Sequence, residues 1–260
     1  MFTDDVVNAQ NYLDLFSPIK SLDYEVQSII DKECIDGIAP VKLYHPQVKS
    51  VQKINGEEIL DVLSFAGRIA WQKDWTKDPK KFISHIINMG HESVIEHYSL
   101  SFVVLCDRAT SHELVRHRIG ASYTQLSQRY VSYGDLTTSV PVVISPDYNV
   151  DETCLITDAA ITAVSEYRGA VLYSGIKPEV ARQVLPNAIG TILLVTFNPR
   201  SLRHFLELRM SKAAYSQIRC VANEIYDIMI DSGLEIFVKE YEDLRKYDPR
   251  TKNYSIEIED

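Results

Sequence analysis

Residues 189–197, IGTILLVTF, form nine consecutive positions without a charge, and they constrain the fold more than any other segment. The stretch is far too short to cross a bilayer as a helix, which takes about 20 apolar residues. Its length and β-branched content suit a strand, and a strand apolar at successive positions has to be covered on both faces. The chain must therefore supply neighbouring strands and covering helices. Residues 99–105 alternate into a second apolar run and read as a buried or half-buried strand. In residues 41–51, VKLYHPQVKSV, Pro46 breaks the alternation, which suits an edge strand followed by a turn. Residues 136–144 give a further strand, with Pro141 and Pro146 marking its edges.

Helical periodicity supplies the cover. Residues 57–70 space Ile59, Val62, Leu63, Ala66 and Ile69 along one face. A basic and acidic linker, 72–78, leads to Pro79, which opens a helix burying Phe82, Ile83, Ile86 and Ile87 and closing at Gly90. Asp107 caps a helix predicted to run from about Arg108 to Arg118, with Gly120 placed for a left-handed terminus. Residues 151–174 carry a long amphipathic pattern (Leu155, Ala159, Ile161, Ala163, Val164, Tyr167, Val171, Leu172) ended by Gly175, and Pro178 opens a short helix in which Glu179 and Arg182 lie one turn apart. Asn198 and Pro199 are a good N-cap and first residue for a helix over 200–211, and 215–231 is another.

With 45% hydrophobic and 24% charged residues, the 260-residue chain can bury a sizeable core, and one domain is expected. Asp4 and Asp5 stand where a signal peptide would carry positive charge, so a soluble, cytoplasmic protein without a membrane anchor is expected. Cys34, Cys106, Cys154 and Cys220 have no CxxC spacing and offer neither a zinc site nor a disulfide framework. Cys220, in an arginine-bearing helix, is the one thiol whose neighbours favour reactivity. HESVIEH at 91–97 is no HExxH motif: its histidines are six residues apart, about 240° around a helix, so no metal is expected.

The chemistry concentrates at 112–130, HELVRHRIGASYTQLSQRY. Between Arg108 and Tyr130 lie four arginines and two histidines against a single acid, Glu113, although the whole chain carries a net charge of -9. A local cation excess in an acidic chain fits a pocket for an anionic small molecule better than a nucleic-acid groove, which would make a broad face positive. Cations at a helix C-terminus account for Arg116, His117 and Arg118 about equally well. On a regular helix Arg116 and Arg118 would point about 200° apart, so one small ligand could not use both. Residues 122–129 read as a polar loop lined with donors, with Arg129 suited to phosphate. No glycine-rich nucleotide motif occurs. Tyr123, Tyr130 and Tyr133 would serve an RNA-binding alternative, which the net negative charge disfavours.

Arg116-His117-Arg118, followed by Ser127 and then Arg129-Tyr130, resembles the signature of the flavin-dependent thymidylate synthases. GHESVIEH (90–97), EVARQVLP (179–186) and NPRSLRHFLELR (198–209) match the same family in order. The resemblance implies an α+β single domain with a central, mostly antiparallel sheet flanked by helices over 41–247. Residues 1–40 would then be an N-terminal extension and 248–260 a charged, mobile tail. It implies FAD contacts at Ser93, Arg116, His117, Arg118, Asn198, Arg200 and His204. Substrate contacts would fall at Glu113, Arg116, Gln125, Ser127, Arg129, Arg182, Arg209 and His91, with Arg209 as the catalytic arginine on the pyrimidine of dUMP. A methylene from methylenetetrahydrofolate and hydride from FAD, replenished by NADPH, would make dTMP without a covalent enzyme nucleophile. The family's homotetramers build each site from several subunits. Two details depart from the pattern: eight residues separate Arg118 from Ser127, one more than is commonest, and Ala213 stands where many members have a histidine.

Overall fold

The computed structural model describes residues 2–4, 11–70, 72 and 78–251. Of the linker expected at 72–78, residues 73–77 lie outside the described residues, as do 252–260 of the tail.

The charge-free run forms strand β6 (Gly190–Phe197), placed between β3 (Leu100–Asp107) and β4 (Ala121–Gln125). With β2 (Gln47–Ser50) on the outer side of β3, the order is β2-β3-β6-β4, antiparallel throughout. A separate parallel pair joins β1 (Val41–Tyr44) to β5 (Val140–Val143). The single strand predicted over 41–51 is thus two strands in two sheets, because Pro46 turns the chain between them. The architecture is the α+β arrangement expected, with a mostly antiparallel sheet.

Among the described residues, three apolar clusters hold it. In the first, Phe102 and Val104 of β3 and Leu193, Val195 and Phe197 of β6 cluster with residues of several helices. Among these are α2 (Gly56–Ile69), α3 (Pro79–Asn88), α7 (Pro199–Arg209) and α8 (Ser216–Asp231). The second joins α1 (Tyr24–Lys32), β1 and β5 to α5 (Val150–Leu172) and α6 (Pro178–Ala181), through Val26, Leu43, Val142, Ile161, Tyr167 and Ala181. Residues before Val41 therefore contribute to a core. A smaller cluster, with Leu15, Phe16, Val103, Leu105 and Val143, covers the far side of β3.

Several faces differ from the periodicity. Val62 and Ile69 of α2 are exposed, while Leu60, Ser64 and Gly67 face inward. Gly67 decides this rotation: a Cβ there would lie 2.9 Å from Phe82 and 3.1 Å from Val94, so the helix approaches its neighbours through its smallest residues. On α5, Leu155 and Leu172 are exposed, and Arg168 is buried instead, donating to the carbonyls of Tyr133 (3.1 Å), Asp135 (2.9 Å) and Thr138 (2.6 Å). β6 is covered on both faces only in part, since Leu194 is 40% exposed. Residues 248–251, read as the start of a loose tail, are pinned: Asp248 is buried, and Arg250 bridges it to Asp227 and Glu224.

Asp107 N-caps α4 (Arg108–Leu114), accepting from Thr110 N at 2.6 Å, and also accepts from the Tyr215 hydroxyl at 3.3 Å. Burial raises its pKa despite these bonds. A carboxyl raised in the folded state stabilises most when protonated, and that contribution is lost as pH rises through the folded pKa. Asp107→Asn keeps the cap acceptor without the buried charge and is expected to melt at or above the wild-type temperature at pH 7, with the gap closing in acid. Asp107→Ala is expected to lose about 1–2 kcal/mol. Thermal melts of the three proteins across pH check both.

Candidate functional site

The site is built where the segment after α4 is seated along α7. Asn198 caps α7 by accepting from Ser201 N at 2.8 Å, and its own backbone N–H donates to Gly120 O at 3.1 Å. Ser201 Oγ donates to Ile119 O at 2.7 Å. Gly120 sits at φ 66°, and a Cβ there would fall 2.1 Å from Ser201 Oγ. The sequence NPRS thus starts a helix and anchors the turn at Ile119 and Gly120 with the same two residues, Asn198 and Ser201.

α4 stops at Leu114, four residues before the predicted Arg118. Past it, Arg116 N and His117 N turn back to Glu113 O and Leu114 O, and the Tyr123 hydroxyl donates to His117 O at 2.7 Å. Arg116, His117 and Arg118 therefore leave the backbone from a turn, and the 200° facing argument does not apply to them. The predicted donor loop is also corrected: residues 121–125 are strand β4, paired along β6 with Tyr123 opposite Val195. Ser122 and Thr124 face solvent, and Gln125 points inward, donating to Ser111 Oγ at 3.1 Å and Thr191 Oγ1 at 3.2 Å. The extended path follows from β6, which would otherwise leave one edge of hydrogen-bonding groups unpaired.

At the centre, Arg209 reaches back from the last turn of α7. Its Nη1 donates to Glu113 Oε2 at 2.6 Å, Nη2 to Glu113 O at 3.3 Å, and Nε to His117 Nε2 at 2.8 Å. The His117 ring stands edge-on to Phe205 (5.1 Å between centroids) and to His204 (6.1 Å). Burial first, then the charge of Arg209 and the neighbouring His204, lowers its pKa from 6.5 to about 4, so the ring is neutral at neutral pH. Burial raises the Tyr123 phenol, which remains a donor.

The other candidate residues surround this centre in groups. His91 and Ser93 are exposed at the short helical turn Glu92–Glu96. Arg200 donates to Glu96 at 2.5 Å and lies 3.7 Å from Glu92. With His204, Arg203, Glu207, Glu240 and Tyr241 it lines a cleft of 770 Å³. Arg182 lines a different cleft, of 260 Å³, with Arg108, His112 and Gln128. Ser127 Oγ accepts from Arg129 N at 3.3 Å, and Arg129 pairs with Glu179 at 3.5 Å and stacks on Tyr130. Arg116 and Arg118 are exposed and make no ion pair among the described residues. Cys220 does not fit the reactive reading, because burial outweighs Arg250 and pushes its pKa up; Cys106 is likewise buried and raised. No group of His, Cys, Asp and Glu among the described residues could hold a metal ion.

The family described as thymidylate synthase complementing protein matches residues 54–232. The chain belongs to this family. A flavin-dependent thymidylate synthase of Mycobacterium avium is 36% identical over 195 residues, covering 68% of this chain and 77% of the relative. One from Mycobacterium tuberculosis H37Rv is 39% identical over 184 residues, 63% of this chain and 72% of the relative. Among solved structures, ThyX from Helicobacter pylori with FAD and dUMP aligns with a TM-score of 0.63 at 23% identity, over 76% of this chain and 99% of that one. The UMP/dUMP methylase PolB from Streptomyces cacaoi bound with 5-Br UMP gives 0.61 at 21% identity, over 81% and 98%. At these identities the structural likeness shows the fold.

The thymidylate synthase complementing protein match ends at 232, yet side chains inside it rely on residues beyond it. Arg203, buried beneath the 770 Å³ cleft, donates to Phe237 O at 3.1 Å and pairs with Glu240 at 2.7 Å and Glu92 at 3.1 Å. The sequence pattern assigns Arg203 no role. Its one available signal was its spacing from Leu202 and Leu206, which places it beside the core face. Gly120→Ala is expected to lower stability by about 2 kcal/mol, through positive φ and the clash with Ser201, as read by denaturant unfolding.

Proposed function

We propose that the chain is a flavin-dependent thymidylate synthase that methylates C5 of dUMP, with methylenetetrahydrofolate as carbon donor, FAD as flavin and NADPH as reductant. The observation that carries this reading is the fixed guanidinium of Arg209. Three of an arginine's five N–H donors are used on Glu113 and His117, which leaves two on adjacent nitrogens for a ligand. Such a pair suits a pyrimidine edge with a carbonyl oxygen and an ionised ring nitrogen, and a half-buried fixed cation stabilises that charge. The known activities of the named relatives support the same reading.

The donor set fits FAD. Arg116 and Arg118, open and without ion pairs among the described residues, suit a pyrophosphate; Arg200 and His204 line the 770 Å³ cleft, and Ser93 and Asn198 are assigned to the same cofactor. Bound there, the flavin would supply the hydride that turns the transferred methylene into methyl. Ser127 and Arg129 are assigned to the dUMP phosphate, Glu113, Arg116, Gln125, Arg182 and Arg209 to the rest of the nucleotide, and His91 to the flavin and folate end. Neither Cys106 nor Cys220 is available as a nucleophile, which agrees with a reaction that needs none. Because Arg182 and Arg200 line separate clefts, and Ile119 (92%) and Tyr130 (80%) are apolar and exposed near them, we assign a homotetramer with shared sites. No described helix is long and apolar enough to cross a membrane, and we place the enzyme in the cytoplasm, with no nucleic-acid partner.

The purified protein is expected to be yellow and to oxidise NADPH faster when dUMP is added; a colourless protein without dUMP-linked turnover would sink the assignment. Arg209→Ala is expected to lower kcat at least about a hundredfold while leaving the assembly intact by light scattering. For shared sites, mixing inactive Arg129→Ala and Arg209→Ala subunits by denaturation and refolding is expected to restore activity. Mixtures as inactive as their parents would place both residues of a site on one subunit.

A further inference from the structure

We propose that His117 is a positioning residue for Arg209, holding the plane of the guanidinium through a hydrogen bond accepted by the free lone pair of its Nε2. This rests on the proposed role of Arg209 at the pyrimidine. Glu113 alone fixes the outer nitrogens, through one carboxylate oxygen at 2.6 Å and one carbonyl at 3.3 Å, and leaves the plane free to tilt about the line joining them. The third bond, from Nε to His117 Nε2 at 2.8 Å, removes that tilt. For Nε2 to accept, the imidazole proton must sit on Nδ1, which has no hydrogen-bond partner among the described residues.

The ring that accepts this bond is itself held. Phe205 and His204 stand edge-on to it, and the His117 carbonyl is tied to the Tyr123 hydroxyl at 2.7 Å. The charged and titratable groups around it are Arg209 and His204 on α7, Glu113 on α4 and Tyr123 on β4. Arg209 and His204 both disfavour a second proton on the ring, so the acceptor state persists at the pH at which the enzyme would work. The resemblance places His117 against the flavin; the geometry gives its Nε2 to the arginine and leaves Nδ1–H for any ligand.

The test compares wild type with His117→Phe, which keeps a flat ring beside Phe205 but has no acceptor, and His117→Gln, whose side-chain oxygen reaches about as far as Nε2. His117→Asn, whose amide is one bond too short, replaces the Phe variant if that protein does not fold. Ligand-free proteins are treated with phenylglyoxal, with modification of Arg209 followed by peptide mass spectrometry, and the FAD-loaded proteins are titrated with dUMP by calorimetry. The Phe variant is expected to be modified several-fold faster at Arg209 and to bind dUMP about tenfold more weakly, as suits loss of one charge-assisted bond. The Gln variant is expected to recover both, with FAD content unchanged. Wild-type modification and dUMP affinity in the Phe variant would overturn the proposal. So would a Gln variant that loses FAD and recovers neither property, because His117 would then act as a flavin contact. Failure of the wild type itself to bind dUMP would instead overturn the proposed function, and the phenylglyoxal comparison would still decide the bond.

Discussion

The structure depends on the pairing of β6 with β3 on one side and β4 on the other. β6 runs into Asn198, which starts α7, and β4 begins just after the turn that α7 anchors at Ile119 and Gly120. Register along β6 therefore sets where Arg116, His117 and Arg118 stand relative to Arg209. A slip of one residue would exchange the faces of β4, turning Tyr123 away from Phe197 and from the His117 carbonyl.

The arginines divide by what surrounds them. Arg168, Arg203 and Arg219 spend their donors on backbone carbonyls and carboxylates inside the fold, where an unpaired cation would be costly. Removing one partner from such a group is more damaging than the pair is stabilising, so these contacts act as constraints on geometry more than as sources of stability. Arg116 and Arg118 are left open, and Arg209 lies between the two classes, held on one side and free on the other. That combination suits reading an anion: a cation already oriented pays little entropy when the ligand arrives.

A neutral histidine beside a fixed arginine is consistent with the same electrostatics. Burial and two neighbouring basic groups push the His117 proton equilibrium down to about 4, which makes the ring an acceptor where a charged imidazole would repel the guanidinium. Glu113 supplies the opposite charge, so the centre is not a bare cluster of cations.

Much of the fold was legible in the sequence because it is local. Apolar runs located β3 and β6, and Asn198-Pro199, Asp107 and Pro79 marked helix starts, since caps act within a few residues of themselves. The order of four motifs was enough to indicate the family, and with it the residues worth assigning. What the sequence could not determine was which face turns inward and where an element ends. Gly67 rotates α2 toward Phe82, the Tyr123 hydroxyl captures the carbonyl after α4, and the open edge of β6 draws residues 121–125 into a strand. Nor could it separate Arg203 from Arg200, three residues apart on one helix, the first nearly buried under a C-terminal segment and the second half exposed at a cleft. These outcomes depend on partners distant in the chain: local chemistry sets what each residue can do, and packing decides which of those possibilities its neighbours leave open.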